Sequence, residues 1–230
     1  MNEKHSLQRL ESPSRTFSYL FHLAGVCSFM SSLVYIFLFP QIPAGSFGGD
    51  FQYLTILGLA LSFLTFMVAY AADISLLPEV FATKNKLAVC VAPLEVLISI
   101  LYWGLRAYDK NLVFPPDLEV ELPLLADIGF HAAPAAFLAL DLLLFSPPWT
   151  ISPRDALELS LVLALTYWSW VEICFSYNHF YPYPIFELLN KPQRMGLFGF
   201  SALLMTGSTV MLKALYRWLN GVDAEPVKKD

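Results

Sequence analysis

The sequence predicts an all-α membrane protein, a six-transmembrane-helix bundle with both termini cytoplasmic. Three observations lead there. Hydrophobic residues make up 57% of the 230 and charged residues only 14%, with a mean hydropathy of +0.56, which is too apolar for a water-soluble domain. Six apolar stretches approach the length that a bilayer demands, about 20 helical residues for about 30 Å of hydrocarbon; they lie near 17–39, 51–73, 86–106, 124–145, 155–176 and 195–219. The basic residues are also unevenly shared between the connections. With the N-terminus inside, only Arg106, Lys110, Lys191 and Arg194 of the 14 Lys and Arg face outward, and an excess of positive charge marks the cytoplasmic side.

These spans leave a cytoplasmic segment 1–16, a membrane domain 17–219 and a cytoplasmic tail 220–230, with no room for a separate soluble domain. The first apolar run is too long for a signal-peptide core and lacks a small-residue cleavage pattern, so it is expected to remain as a helix. The connection PQIPAGSFGGD (40–50) is rich in Pro and Gly and lacks Lys and Arg, as an outer loop should. It ends in Asp50, expected to cap the next helix. The segment 74–86 breaks at Pro78 and carries its lysines beside the third span, as an inner loop would. The outer segment YDKNLVFPPDLEVELP is acidic and punctuated by prolines, and FSPPWTISPRD turns the chain on the inner side. The stretch YNHFYPYPIFELLNKPQR (177–194) reads either as an interfacial aromatic belt or as a lid over an acyl-binding site.

Cys27, Cys90 and Cys174 fall within spans and have no metal-ligand spacing. With no nucleotide loop either, no cofactor is implied. Ionisable groups at membrane depth are costly and mark bundle interiors. His22 and Glu158 lie close to inner helix ends, where a side chain can reach the interface; Glu95, Asp141 and Glu172 sit deeper.

Thr55 and His131 make the pair with chemical potential. Both of their helices run inward, which puts Thr55 about 6 Å and His131 about 10 Å below the outer surface. A hydroxyl is a poor nucleophile until a base takes its proton, and neutral imidazole suits that task. Asp127 stands four residues before His131, on the same helix face, where its carboxylate can orient the imidazole. The blander alternative is a threonine bonded to a carbonyl one turn back and a histidine that is simply a satisfied buried group.

At these residues the chain resembles the androgen-induced and androgen-dependent transmembrane proteins, a multi-pass family of threonine hydrolases that cleave fatty acid esters of hydroxy fatty acids. The segment GGDFQYLT (48–55) is similar to the family's Gly-Gly, aromatic, Leu-Thr stretch, and the resemblance implies that Thr55 is the nucleophile. Further similar segments, in order and spacing, are ADISLL, APLEVLISILYW with AYDKNLVFP, and YPIFELL followed by QRMGLFG. His131, with Phe137 and Asp141 after it, looks like the family's catalytic histidine and the acidic residue ten places on. The family's helix reads Asn-His-x-x-His-Thr, whereas here it is Asp127-Ile128-Gly129-Phe130-His131-Ala132. The fifth span, where relatives carry further histidines, offers Glu172, Ser176, Asn178 and His179.

The expected function is an intramembrane lipid esterase with Thr55 as nucleophile, His131 as base, and Asp127 or Asp141 as its orienter. Its partners are the bilayer and a lipid ester, not nucleic acid, in the endoplasmic reticulum or plasma membrane. The rival readings are a proton-coupled transporter or channel using Glu95, Asp141 and Glu172, and a non-enzymatic membrane scaffold.

Overall fold

The computed structural model describes residues 17–114 and 122–220. The expected cytoplasmic segment 1–16, nearly all of the tail and part of the acidic outer segment lie outside the described residues. Eight α-helices follow in chain order: α1 (Phe17–Leu38), α2 (Leu54–Ser75), α3 (Pro78–Tyr108), α4 (Leu124–His131), α5 (Ala133–Phe145), α6 (Pro153–Asn178), the single turn α7 (Pro184–Leu188) and α8 (Lys191–Asn220). Five are long and apolar enough to cross a membrane, and there are six when the bent pair of α4 and α5 is counted as one span. Many large apolar side chains point outward, Phe37 at 84% exposure and Leu125 at 85% among them. Such a surface suits hydrocarbon rather than water.

The fourth span departs from the single helix 124–145 that the sequence suggests. It bends by 46° between α4 and α5, because Pro134, in the first turn of α5, has no N–H to give to the carbonyl of Phe130. His131 is the last residue before the bend. The third span also departs from expectation. Pro78 opens α3 rather than ending a loop, since the first helical position needs no N–H and favours the fixed proline φ. The turn before it is only Leu76 and Leu77, with Leu76 in the left-handed region at φ 56°.

The bundle is closed by an apolar core in which Phe29, Leu59, Phe66, Leu138 and Leu142 are fully or almost fully buried. Its helices alternate in direction. As α2 spans 22 residues, Thr55 near its start and Asp73 near its end are separated by most of the bilayer thickness, about 27 Å. Polar side chains gather at both ends.

Candidate functional site

Thr55 is the second residue of α2 and only 7% exposed. The chain before it is shaped by Gly48, whose φ of 82° favours glycine. A Cβ there would lie 2.9 Å from Cys174 Sγ and 3.0 Å from the Trp170 ring. A 3₁₀ turn, Gly49–Gln52, follows. Because this turn intervenes, Asp50 does not cap α2 as expected. Tyr53 is the N-cap, and Asp50 Oδ1 accepts from the N–H groups of Gln41 and Ile42 at 2.9 and 3.1 Å.

Two side chains from α6 clamp this junction. The Tyr167 hydroxyl donates to the Gln52 carbonyl at 2.9 Å and accepts from the Leu54 N–H at 3.1 Å. Trp170 Nε1–H donates to the Phe51 carbonyl at 2.9 Å. Phe51 belongs to the 3₁₀ turn and the extended Tyr53 follows it, so Thr55 has no preceding α-helical turn whose carbonyl a helical threonine ordinarily bonds. Elsewhere among the described residues the helical threonines Thr65, Thr83, Thr166, Thr206 and Thr209 each donate to the carbonyl four residues back. Thr55 instead lies beside the hydroxyl of Tyr183, which shares its cavity wall. Burial pushes the Tyr183 phenol above its ordinary range.

His131 is 8% exposed. Its Nδ1 lies 2.9 Å from Asp127 Oδ1, one turn back on α4. The other carboxylate oxygen of Asp127 pairs with Arg106 Nη1 from α3. An Nδ1–H directed at the carboxylate leaves the lone pair on Nε2. The imidazole is stacked on the Tyr102 ring, with centroids 3.3 Å apart and planes 4° from parallel, and its carbonyl accepts from Trp103 Nε1–H at 3.3 Å. Arg106 completes the group by donating to the Tyr102 hydroxyl at 3.0 Å.

Tyr102, on which His131 stacks, lies between the two halves. With Thr55 and Tyr183 it lines a cavity of about 430 Å³ between α2, α3, α6, α7 and α8, and His131 itself is not among the residues lining that cavity. The rest of the wall is mostly aliphatic, from residues such as Leu57, Leu97, Ile98, Leu163 and Met205. Ser160, Thr166 and Ser201 also reach this wall, but their hydroxyls donate to carbonyls of their own helices. Polar contacts are therefore concentrated at the Thr55 end.

Asp141 is placed elsewhere. Its Oδ1 lies 2.9 Å from His22 Nε2 and its Oδ2 2.7 Å from Lys84 Nζ. His22 Nδ1 lies 2.7 Å from Asp73 Oδ2, and Ser18 and Ser146 bond into the same group. Every member is 0% exposed. This cluster joins α1, α2, α3 and α5 at the end opposite to Thr55, so Asp127, not Asp141, is the carboxylate on His131. Glu95 pairs with Ser62 at 2.8 Å, and Glu172 with Trp168, Tyr181 and Arg194.

Residues 17–217 match the family described as FAR-17a/AIG1-like protein. The chain belongs to the FAR-17a/AIG1-like family. It is 36% identical over 181 residues to the UPF0641 membrane protein of Schizosaccharomyces pombe, covering 79% of this chain and 81% of that one. It is 24% identical over 194 residues to the androgen-dependent TFPI-regulating protein of Mus musculus, with 79% and 82% covered. Against the androgen-induced gene 1 protein of Homo sapiens it is 21% identical over 175 residues, with 70% and 73% covered. No solved structure matches.

In this FAR-17a/AIG1-like chain, sequence reasoning reached Thr55, His131 and Asp127 but missed Tyr102, Arg106, Tyr167 and Tyr183. One local signal was present: Tyr102 and Arg106 are four apart on α3, hence on one helix face. Tyr183 opens YPIFELL within the aromatic stretch 177–194, whereas Tyr167 had no such signal, since it reaches the start of α2 only through tertiary packing.

Proposed function

We propose that this protein is an intramembrane hydrolase of lipid esters, acting on fatty acid esters of hydroxy fatty acids, with Thr55 as nucleophile and His131 as base. The observation that carries this reading is the Thr55 hydroxyl. At the second position of α2 it has no helical turn before it to bond, and it stands at the polar end of an apolar cavity. A cavity of this size lies within the range that holds a lipid-sized ligand, about 300–1,000 Å³, and its aliphatic wall accepts a hydrocarbon chain while the ester stays beside Thr55. The Thr55 oxygen attacks the carbonyl carbon as its proton passes, directly or through one water, to Nε2 of His131. Asp127 holds the imidazole in the tautomer that this needs and stabilises its cation. The proton then goes to the leaving hydroxyl of the hydroxy fatty acid. Water, deprotonated in turn by His131, releases the acyl group and restores Thr55.

The carboxylates that a proton relay would use lie in three separate groups, Glu95 with Ser62, Asp141 with His22 and Lys84, and Glu172 with Tyr181 and Arg194. A relay needs a continuous chain of donors and acceptors, which favours the hydrolase. The test is a lipid-like fluorophosphonate applied to the purified protein, followed by mass spectrometry. Covalent phosphonylation at Thr55, abolished in Thr55→Val, is expected; an unmodified Thr55 in protein that hydrolyses the ester would overturn the assignment.

A further inference from the structure

Attack by Thr55 would turn the carbonyl oxygen into an oxyanion inside a wall with few polar groups. Such a charge needs donors already aimed at it. Of the hydroxyls and N–H groups on the wall, those of Ser160, Thr166, Ser201, Tyr167 and Trp170 are spent on backbone carbonyls, and the Tyr102 hydroxyl is engaged with Arg106 beside His131. Tyr183 is placed differently. Its hydroxyl lies beside Thr55 at the start of α2, and the residue shares the cavity wall with Thr55.

We propose that Tyr183 is a catalytic residue, the oxyanion donor of the Thr55 reaction, with Tyr167 positioning the start of α2 beside it. The assignment rests on the hydrolase reading and deepens it. As the Thr55 Oγ–carbon bond forms, the carbonyl π pair moves onto oxygen, which accepts a hydrogen bond from the Tyr183 O–H. When the tetrahedral centre collapses, that pair returns and the alkoxide leaves with the proton held by His131. Tyr183 keeps its proton throughout.

Three features suit the phenol to this role. It is anchored: the Tyr183 ring meets Tyr53 edge-on at 5.3 Å and Phe186 at 5.7 Å, and Pro184 starts α7 directly behind it. It stays neutral, since burial disfavours the phenolate, so it donates rather than acts as a base. The partial positive end of α2 also bears on its oxygen, because the hydroxyl lies beside the first turn of that helix. Negative charge drawn onto the phenol oxygen during catalysis is thereby stabilised, and the hydrogen bond to the oxyanion is strengthened. The stretch 177–194, which reads from sequence as either belt or lid, acquires a chemical purpose in the Y-P-Y-P segment.

The test compares full-length wild type, Tyr183→Phe, Tyr167→Phe and Thr55→Val in lipid nanodiscs, hydrolysing one fluorogenic ester of a hydroxy fatty acid. Tyr183→Phe is expected to lower kcat about 10²-fold with KM changed by less than about threefold, and to slow fluorophosphonate labelling in parallel. Tyr167→Phe loosens the start of α2 and is expected to lower kcat as well as the melting temperature; an unchanged kcat would deny its positioning role. Site-specific 3,5-difluorotyrosine at 183 preserves shape but acidifies the phenol, and should move the alkaline loss of activity to lower pH. Wild-type kcat in Tyr183→Phe, a loss confined to KM, or an unmoved pH profile overturns the donor assignment, provided that Thr55→Val is inactive. Full activity in Thr55→Val overturns the hydrolase reading, and the donor assignment with it.

Discussion

A hydroxyl acquires chemistry from what it is denied as much as from what it touches. Thr55 lacks the usual carbonyl one turn back because α2 begins only one residue before it, and His131 has one nitrogen committed to Asp127, which defines the other as the acceptor. If the two act as one unit, Thr55→Val and His131→Ala each bring ester hydrolysis to background, and the double variant is no worse than either single one. Thr55→Ser keeps the oxygen and retains measurable activity. Additive losses in the double variant would separate the two residues. Asp127 permits a sharper expectation, because its two oxygens face different partners, His131 Nδ1 and Arg106. In Asp127→Asn one of these partners meets an amide N–H₂ instead of an acceptor. The rate should therefore fall by about 10²-fold or more while the protein remains folded; a rate within twofold of wild type would show that the charge is dispensable.

Among the elements, the break between α4 and α5 matters most to the site. Pro134 bends the span by 46° immediately after His131, and the imidazole then stacks on Tyr102 of α3. Gly129 helps to seat α4 on α1, for a Cβ there would lie 2.7 Å from Ser32 Oγ. Pro134→Ala restores an N–H to the ladder and lets α4 continue into α5. The expected result is a melting temperature no lower than wild type with hydrolysis reduced about 10²-fold, the scale of loss that a displacement near 1 Å brings. Unchanged activity would mean that the bend is upheld by packing alone.

For the molecule as a whole, the two polar clusters divide the work. The cluster of Asp73, His22, Asp141 and Lys84 lies about 27 Å from Thr55 along α2 and joins four helices. Its role is to fix their arrangement. Lys84→Ala leaves buried carboxylates without their cation and should cost about 3–5 kcal/mol in stability, read as a lowered melting temperature in nanodiscs. Replacing both Lys84 and Asp141 with apolar residues should recover part of that loss; a stability equal to wild type in Lys84→Ala would deny the clamp. The distribution of basic residues leads to the expectation that both termini face the cytoplasm. A glycosylation-acceptor tag in the 107–123 segment is expected to be modified and one at the C-terminus not, and modification of the C-terminal tag would reverse the assignment.

Composition and local periodicity determined membrane residence, helical class and the placing of the spans to within a few residues at most ends, because a bilayer imposes length and apolarity on each segment separately. The Asp127–His131 pair was legible for the same reason, since four residues on a helix face make a contact without help from the rest of the chain. The bend at Pro134 was written in the sequence as well, but inside an unbroken apolar run it was read as part of one span. Only the tertiary structure decided which carboxylate serves which histidine. Asp141 lies ten positions from His131, yet it bonds to His22, 119 positions away. The same holds for Tyr167, 113 positions from the Leu54 N–H that it accepts, and for Tyr183 beside Thr55. Such contacts depend on the rotation and depth of whole helices against each other, which are settled jointly by packing across the bundle and leave no trace in any one segment.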